Sequence, residues 1–116
     1  ALSVTSAAGG TGDLTVTSTG ALTLAGNVST SATARLSGTS VTQTGGTLSA
    51  NALAVRSTGT ITLTQSGNNV TTLAAAGNGT VEFTDTNGFA LGSVGVSGGF
   101  AATAGINSTG NRITLT

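Results

Sequence analysis

Few side chains in this sequence can do chemistry. The ionisable groups are Asp13, Glu82 and Asp85 against Arg35, Arg56 and Arg112, and His, Cys, Lys and Tyr are absent. Acid–base catalysis needs two groups that converge on one substrate. Glu82 and Asp85 stand three residues apart, so on a strand they fall on opposite faces or straddle its end. They cannot form the facing carboxylate pair of a glycosidase. Without His or Cys there is no imidazole base, no thiolate nucleophile and no soft metal ligand. The expectation is a chain that is not an enzyme and uses no cofactor.

Weaker chemical signals are present. Gly9-Gly10-Thr11-Gly12-Asp13 is similar to the calcium-binding nonapeptide GGxGxD, but it is one residue short before the acid and does not recur nine residues on. Calcium takes roughly six to eight oxygens, so this stretch reads as a turn and no metal site is expected. Asn27, Asn69, Asn78 and Asn107 each begin an N-x-[ST] sequon, a weak signal in a chain so rich in Ser and Thr. The three arginines balance the three acids and form no basic patch, which argues against a nucleic-acid partner. No apolar run is long enough to span a bilayer as a helix, so membrane insertion is not expected.

What must position these residues is written in the spacing. Charged residues make up 5% of the chain, against roughly a quarter in an ordinary soluble protein. Gly, Thr, Ser, Ala and Asn fill their place. Apolar residues alternate with Thr, as in Thr60-Ile61-Thr62-Leu63-Thr64, followed by the turn word Ser66-Gly67-Asn68-Asn69. A first series of apolar pairs runs Leu14/Val16, Ala34/Leu36, Leu53/Val55, Leu73/Ala75, Val94/Val96 and Ile113/Leu115, in steps of 19 to 21 residues. A second runs Leu2/Val4, Leu22/Leu24, Val41, Ile61/Leu63, Val81/Phe83 and Ala101 or Ala102. A third, less tidy, is Ala8, Val28, Leu48, Val70, Phe89/Leu91 and Ile106.

Three short strands per twenty residues predict an all-β fold: a parallel β-helix, or β-solenoid, of nearly six coils over residues 1–116. At the spacing of paired strands, about 4.8 Å, the coils would stack into a rod about 28 Å long. A β-sandwich would not require so constant a period. The pattern itself does not set the hand, and the preference of parallel crossovers favours a right-handed coil. Core columns are expected from Leu14, Val16, Ala34, Leu36, Leu53, Val55, Leu73, Val94, Val96, Ile61, Leu63, Val81 and Phe83, with Phe83 and Phe89 stacked inward near Phe100. Arg35 and Arg56 fall on outward positions and are expected to be solvated. The chain opens and closes in mid-pattern, so it is expected to be a slice of a longer repeat, with further coils of the same or an identical chain as partners at both ends.

Outward on the second series, Thr5, Thr23, Thr42, Thr44, Thr62, Thr64 and Thr84 would form a ladder, interrupted by Ala25 and Glu82. Such a flat T-x-T array could meet an extended surface such as ice or glycan. It also serves as plain strand surface, since the branched Thr side chain suits the pleat.

Phrases such as GDLTVTSTGALTLAGNV, LAVRSTGTITLTQSGNNV and NGTVEFTDTNGFALGSV resemble the repeat regions of filamentous-haemagglutinin-type exoproteins. The resemblance covers essentially the whole chain and lies in pattern and composition; that family's secretion domain is not visible here. It implies a long right-handed parallel β-helix, secreted by the two-partner route to the surface of a Gram-negative bacterium. It also implies adhesion to a host-surface or glycan receptor through other regions or loop insertions. The absence of Cys fits export through an outer-membrane pore.

Overall fold

In the computed structural model, residues 2–94, 103–107 and 112–116 are described. Their strands in chain order are β1 (Leu2–Gly10), β2 (Leu14–Thr17), β3 (Leu22–Thr30), β4 (Thr33–Gly38) and β5 (Val41–Gln43). Then come β6 (Leu48–Ser57), β7 (Ile61–Leu63), β8 (Asn69–Ala76), β9 (Val81–Phe83) and β10 (Ala90–Leu91). The last four are β11 (Ser93–Val94), β12 (Thr103–Ala104), β13 (Ile106–Asn107) and β14 (Ile113–Leu115). There is no helix among the described residues.

The strands stack in parallel, coil upon coil, as a β-solenoid. On the first face Leu14, Ala34, Leu53 and Leu73 are successive partners, and so are Val16, Leu36, Val55 and Ala75. On the second face Leu2, Leu22, Val41, Ile61 and Val81 follow one another in register. Alternation puts the apolar residue of each pair inside and Thr outside, which is why β5, β7 and β9 are each buried at both ends and half-buried between. The interior is one continuous apolar cluster from Leu22 to Phe83. Burying a side chain the size of Leu contributes about 1.5–3 kcal/mol, and a single coil offers only a few, so the core exists only through stacking. Leu14 and Val16, in the first coil, are half-buried against it. Phe83 is buried and meets the half-buried Phe89 edge to face, with centroids 5.0 Å apart.

The third face differs from the sequence expectation. Ala7, not Ala8, pairs with Val28. Val70 pairs with Ala50, and because Ser49 pairs with Asn69, the residue beside Leu48 is Asn68. A polar turn residue occupies the slot where an aliphatic one was expected.

The regular stack amounts to about four turns, not six. The final two steps of the first series do not occur. Val94 does not continue the Leu73 column; it pairs antiparallel with Thr103 in a hairpin of β11 and β12. Ile113 and Leu115 belong to the second face, above Val81 and Phe83. Val96, Phe100, Ala101 and Ala102 lie outside the described residues.

The geometry of the last turn supplies the reason. Leu91 pairs with Leu73 and Ile106 with Ala75, so β10 and β13 together make one interrupted rung above β8. The chain leaves that rung at Gly92, whose N–H donates to Leu73 at 3.1 Å, and returns at Gly105, whose carbonyl accepts from Ala75 at 2.8 Å. Across the gap the Gly105 N–H donates to the Gly92 carbonyl at 2.7 Å. Gly105 has φ +60°, a left-handed conformation that suits glycine. Ile113 follows Val81 by 32 residues; setting aside the 12 residues 93–104 leaves 20, the period of the other coils. By this count the described strands of the last turn keep the period of the other coils once residues 93–104 are set aside.

Candidate functional site

The described residues of the insertion, 93–94 and 103–104, lie on the outer side of the first face. There β4, β6 and β8 set Arg35, Ala54 and Ala74 side by side. In the column that carries Thr15 and Arg35 on the preceding coils, these two alanines carry only a methyl group, so a second layer can lie close. Val94 of the hairpin packs on Ala54 and Ala74, forming a small second apolar cluster with Ala52 at its edge. Val94 is therefore buried, at 5% exposure, but outside the solenoid core rather than within it. Arg56 Nη1 donates to the buried Thr103 hydroxyl at 3.1 Å and ties the hairpin to β6.

Arg35 was expected in solvent and is buried instead, at 6% exposure. Its Nη1 donates to Asp13 Oδ2 at 2.9 Å, while the other Asp13 oxygen accepts the Thr33 N–H at 3.2 Å. The Arg35 hydrogen bond, and secondarily the Thr33 bond, hold the Asp13 carboxyl below its ordinary value of 3.8. Both Asp13 oxygens thus serve the neighbouring coil, and the Gly9–Gly12 stretch closes as a turn through Gly12 N–H to Gly9 O at 3.0 Å. Among the described residues no three His, Cys, Asp or Glu side chains gather. Glu82 lies outward on the second face, whereas Asp85 accepts the N–H groups of Val70 and Asn87 at 2.9 and 2.8 Å. The structure does not bring these two acids together as a pair.

The threonine ladder is partly assembled. Ser3, Thr23, Thr42, Thr62, Glu82 and Thr114 are successive partners on the second face, so three threonines stand in an unbroken column. The companion rail is looser. Thr5 sits at a register irregularity between β1 and β3, and Thr44, Thr64 and Thr84 lie just past the ends of their strands. The lattice is three residues tall and one wide.

A polar pair inside the core had no direct indication in the sequence. Gln43 and Asn68 exchange reciprocal amide hydrogen bonds, each 2.8 Å long, and both are buried. Asn68 Oδ1 also accepts the Leu48 N–H at 2.9 Å, and Asn68 Nδ2 donates to the Leu63 carbonyl at 3.3 Å. The traces of the pair were Val41 standing alone in the second series and the long step from Leu48 to Val70. Among the sequons, Asn27, Asn69 and Asn78 are exposed, although the Asn27 carbonyl oxygen accepts the Thr47 N–H at 3.0 Å. Asn107 begins a sequon that runs beyond the described residues.

A family model described as repeats of unknown function (DUF5649) matches residues 11–77. That span runs from the turn after β1 to the end of β8, within the regular coils, and stops before the insertion. No curated protein and no solved structure matches the chain at a significant level.

Proposed function

This chain belongs to the DUF5649 family of repeats, and we propose that it is a structural segment of a secreted bacterial surface adhesin or fibre. It acts as a rigid rod that holds binding regions away from the cell, in the manner of the filamentous-haemagglutinin-type exoproteins its sequence resembles. The observation that carries this reading is the fixed return of the backbone onto itself, with an apolar interior from Leu22 to Phe83 into which the Gln43–Asn68 pair is set. Such a body resists bending and lengthens by simple repetition. Its surface of hydroxyls and small side chains, with few reactive groups, suits a spacer better than a catalyst.

The test is a head-to-tail fusion of two copies studied by small-angle X-ray scattering. A rod lengthens by about 4.8 Å for each added coil at constant cross-section. Two bodies tumbling independently would sink the reading. Surface placement is checked by antibody labelling of intact producing cells, which must be positive without permeabilisation.

A further inference from the structure

We propose that the Asn87–Gly88 step is a self-modification site, where the side-chain amide is lost as ammonia and a carboxylate takes its place. Asparagine is a chemically labile residue, and a following glycine leaves its own N–H unshielded by any side chain. In the reaction the Gly88 N–H gives its proton to hydroxide and the nitrogen attacks Asn87 Cγ. That C–N bond forms, the Cγ–Nδ2 bond breaks, and the amide nitrogen takes up protons and leaves as ammonia. Water then opens the succinimide ring at either carbonyl, giving an aspartate or an isoaspartate linkage.

The chain carries two such pairs, Asn78–Gly79 and Asn87–Gly88, and the fold separates them. The Gly79 N–H donates to the Gly59 carbonyl at 3.0 Å. A Cβ on Gly79 would meet Thr60 and Gly59 atoms at 2.9 and 3.1 Å, so that peptide is held against the coil beneath it. Around Gly88 a Cβ would meet nothing within 4 Å, and no described residue accepts its N–H. Asn87 and Gly88 are both exposed, and Asn87 Nδ2 reaches Asn69 Oδ1 only at 3.4 Å. Asn27, Asn51 and Asn69 are protected as Asn78 is. The N–H that follows each donates to Thr47 O, Ala32 O and Asp85 Oδ2, at 2.9, 3.3 and 2.9 Å.

The site lies at the corner that leads from the regular coils into the last turn. Asp85 Oδ2 holds the Val70 N–H there, and the Thr86 N–H donates to the Asn68 carbonyl at 2.7 Å. Neither bond uses the Asn87 amide, so conversion leaves the stack in place. What changes is charge: a second carboxylate arises two residues from Asp85, in a chain whose formal net charge is +0. The inference does not depend on the chain being part of a rod.

The experiment incubates the purified chain in mildly alkaline buffer and follows it by anion-exchange chromatography. Fragmentation of the intact chain in the mass spectrometer locates the change. A species with an added negative charge should accumulate, and Asn87 should convert faster than Asn78 by about tenfold, the equivalent of the bond that Gly79 must break. In urea the two sites should converge. Asn87→Gln, whose longer side chain closes the ring poorly, should lose the acidic species, and Gly88→Ala, which the open space accommodates, should slow it. Absence of conversion at Asn87, equal rates at the two sites in the folded chain, or undiminished conversion in Gly88→Ala overturns the proposal. A preference for Asn87 that persists unchanged in urea overturns it too, since the fold would then play no part.

Discussion

Among the described residues, the coils of residues 2–83 and the enlarged turn that follows them are built from the same short strands, yet the enlarged turn also buries a residue on the outside. In the coils, alternation sends Leu, Ile and Val inward and Thr outward, and each rung repeats its neighbour. In the enlarged turn the rung breaks at Gly92, and Val94 comes to rest on the outside, against Ala54 and Ala74. The difference shows that a solenoid face has two usable sides. The inner side sets the fold, and the outer one becomes a packing surface where Ala54 and Ala74 leave only a methyl group.

The largest expected effect sets a core substitution against removal of the insertion. Leu53→Ala opens a cavity between four stacked coils and should cost about 2–5 kcal/mol, read as a lower midpoint in urea. Joining Gly92 to Gly105 by deleting residues 93–104 should keep the β-sheet circular dichroism and lose less stability than Leu53→Ala, because its described apolar contacts lie in the outer cluster. Loss of the fold on deletion would show that the last turn is not a regular coil with an insertion.

The amide pair sharpens the contrast within the coils. Asn68→Ala leaves Gln43 and the Leu48 N–H buried without their partner, a loss of about 1–3 kcal/mol for each group left unsatisfied. Replacing both amides together, as Gln43→Leu with Asn68→Leu, should recover much of that loss. A double variant no more stable than Asn68→Ala would mean that the amides do not act as a unit.

The smallest effect lies at the ion pair. The folded-state pKa of Asp13 is depressed by Arg35 and Thr33, so its contribution is present above the unfolded value and lost as pH falls through the lower folded one. Thermal melting midpoints measured from pH 5 down to pH 3 should therefore fall more steeply in the native chain than in Asp13→Asn. Parallel slopes would remove Asp13 from any stabilising role.

The period of twenty was legible because aliphatic residues recur at fixed distance and a β-solenoid must stack them. Leu14, Ala34, Leu53 and Leu73 could be placed in one column from spacing alone, and the structure pairs them there. The same search misassigned Val94 and Ile113, since a twelve-residue insertion spans little more than half a period and leaves apolar residues near the expected marks. The signal that would have separated them is on the outer face, where Ala54 and Ala74 continue the column of Thr15 and Arg35. Arg35 was misplaced for a related reason. Strand alternation gives the direction of a side chain but not whether anything covers it. Asn68 escaped because a residue in a turn word reads as solvent-facing, whereas its amide points inward to Gln43.

That buried amide pair has a consequence for how such a chain finds its structure. Coils so alike could settle one level too high or too low and still match Leu against Leu. A stack displaced by one level would strand both carboxamides among hydrocarbon, each at a cost of about 1–3 kcal/mol. Gln43 and Asn68 therefore act as an index mark by which a self-similar ladder can tell its floors apart.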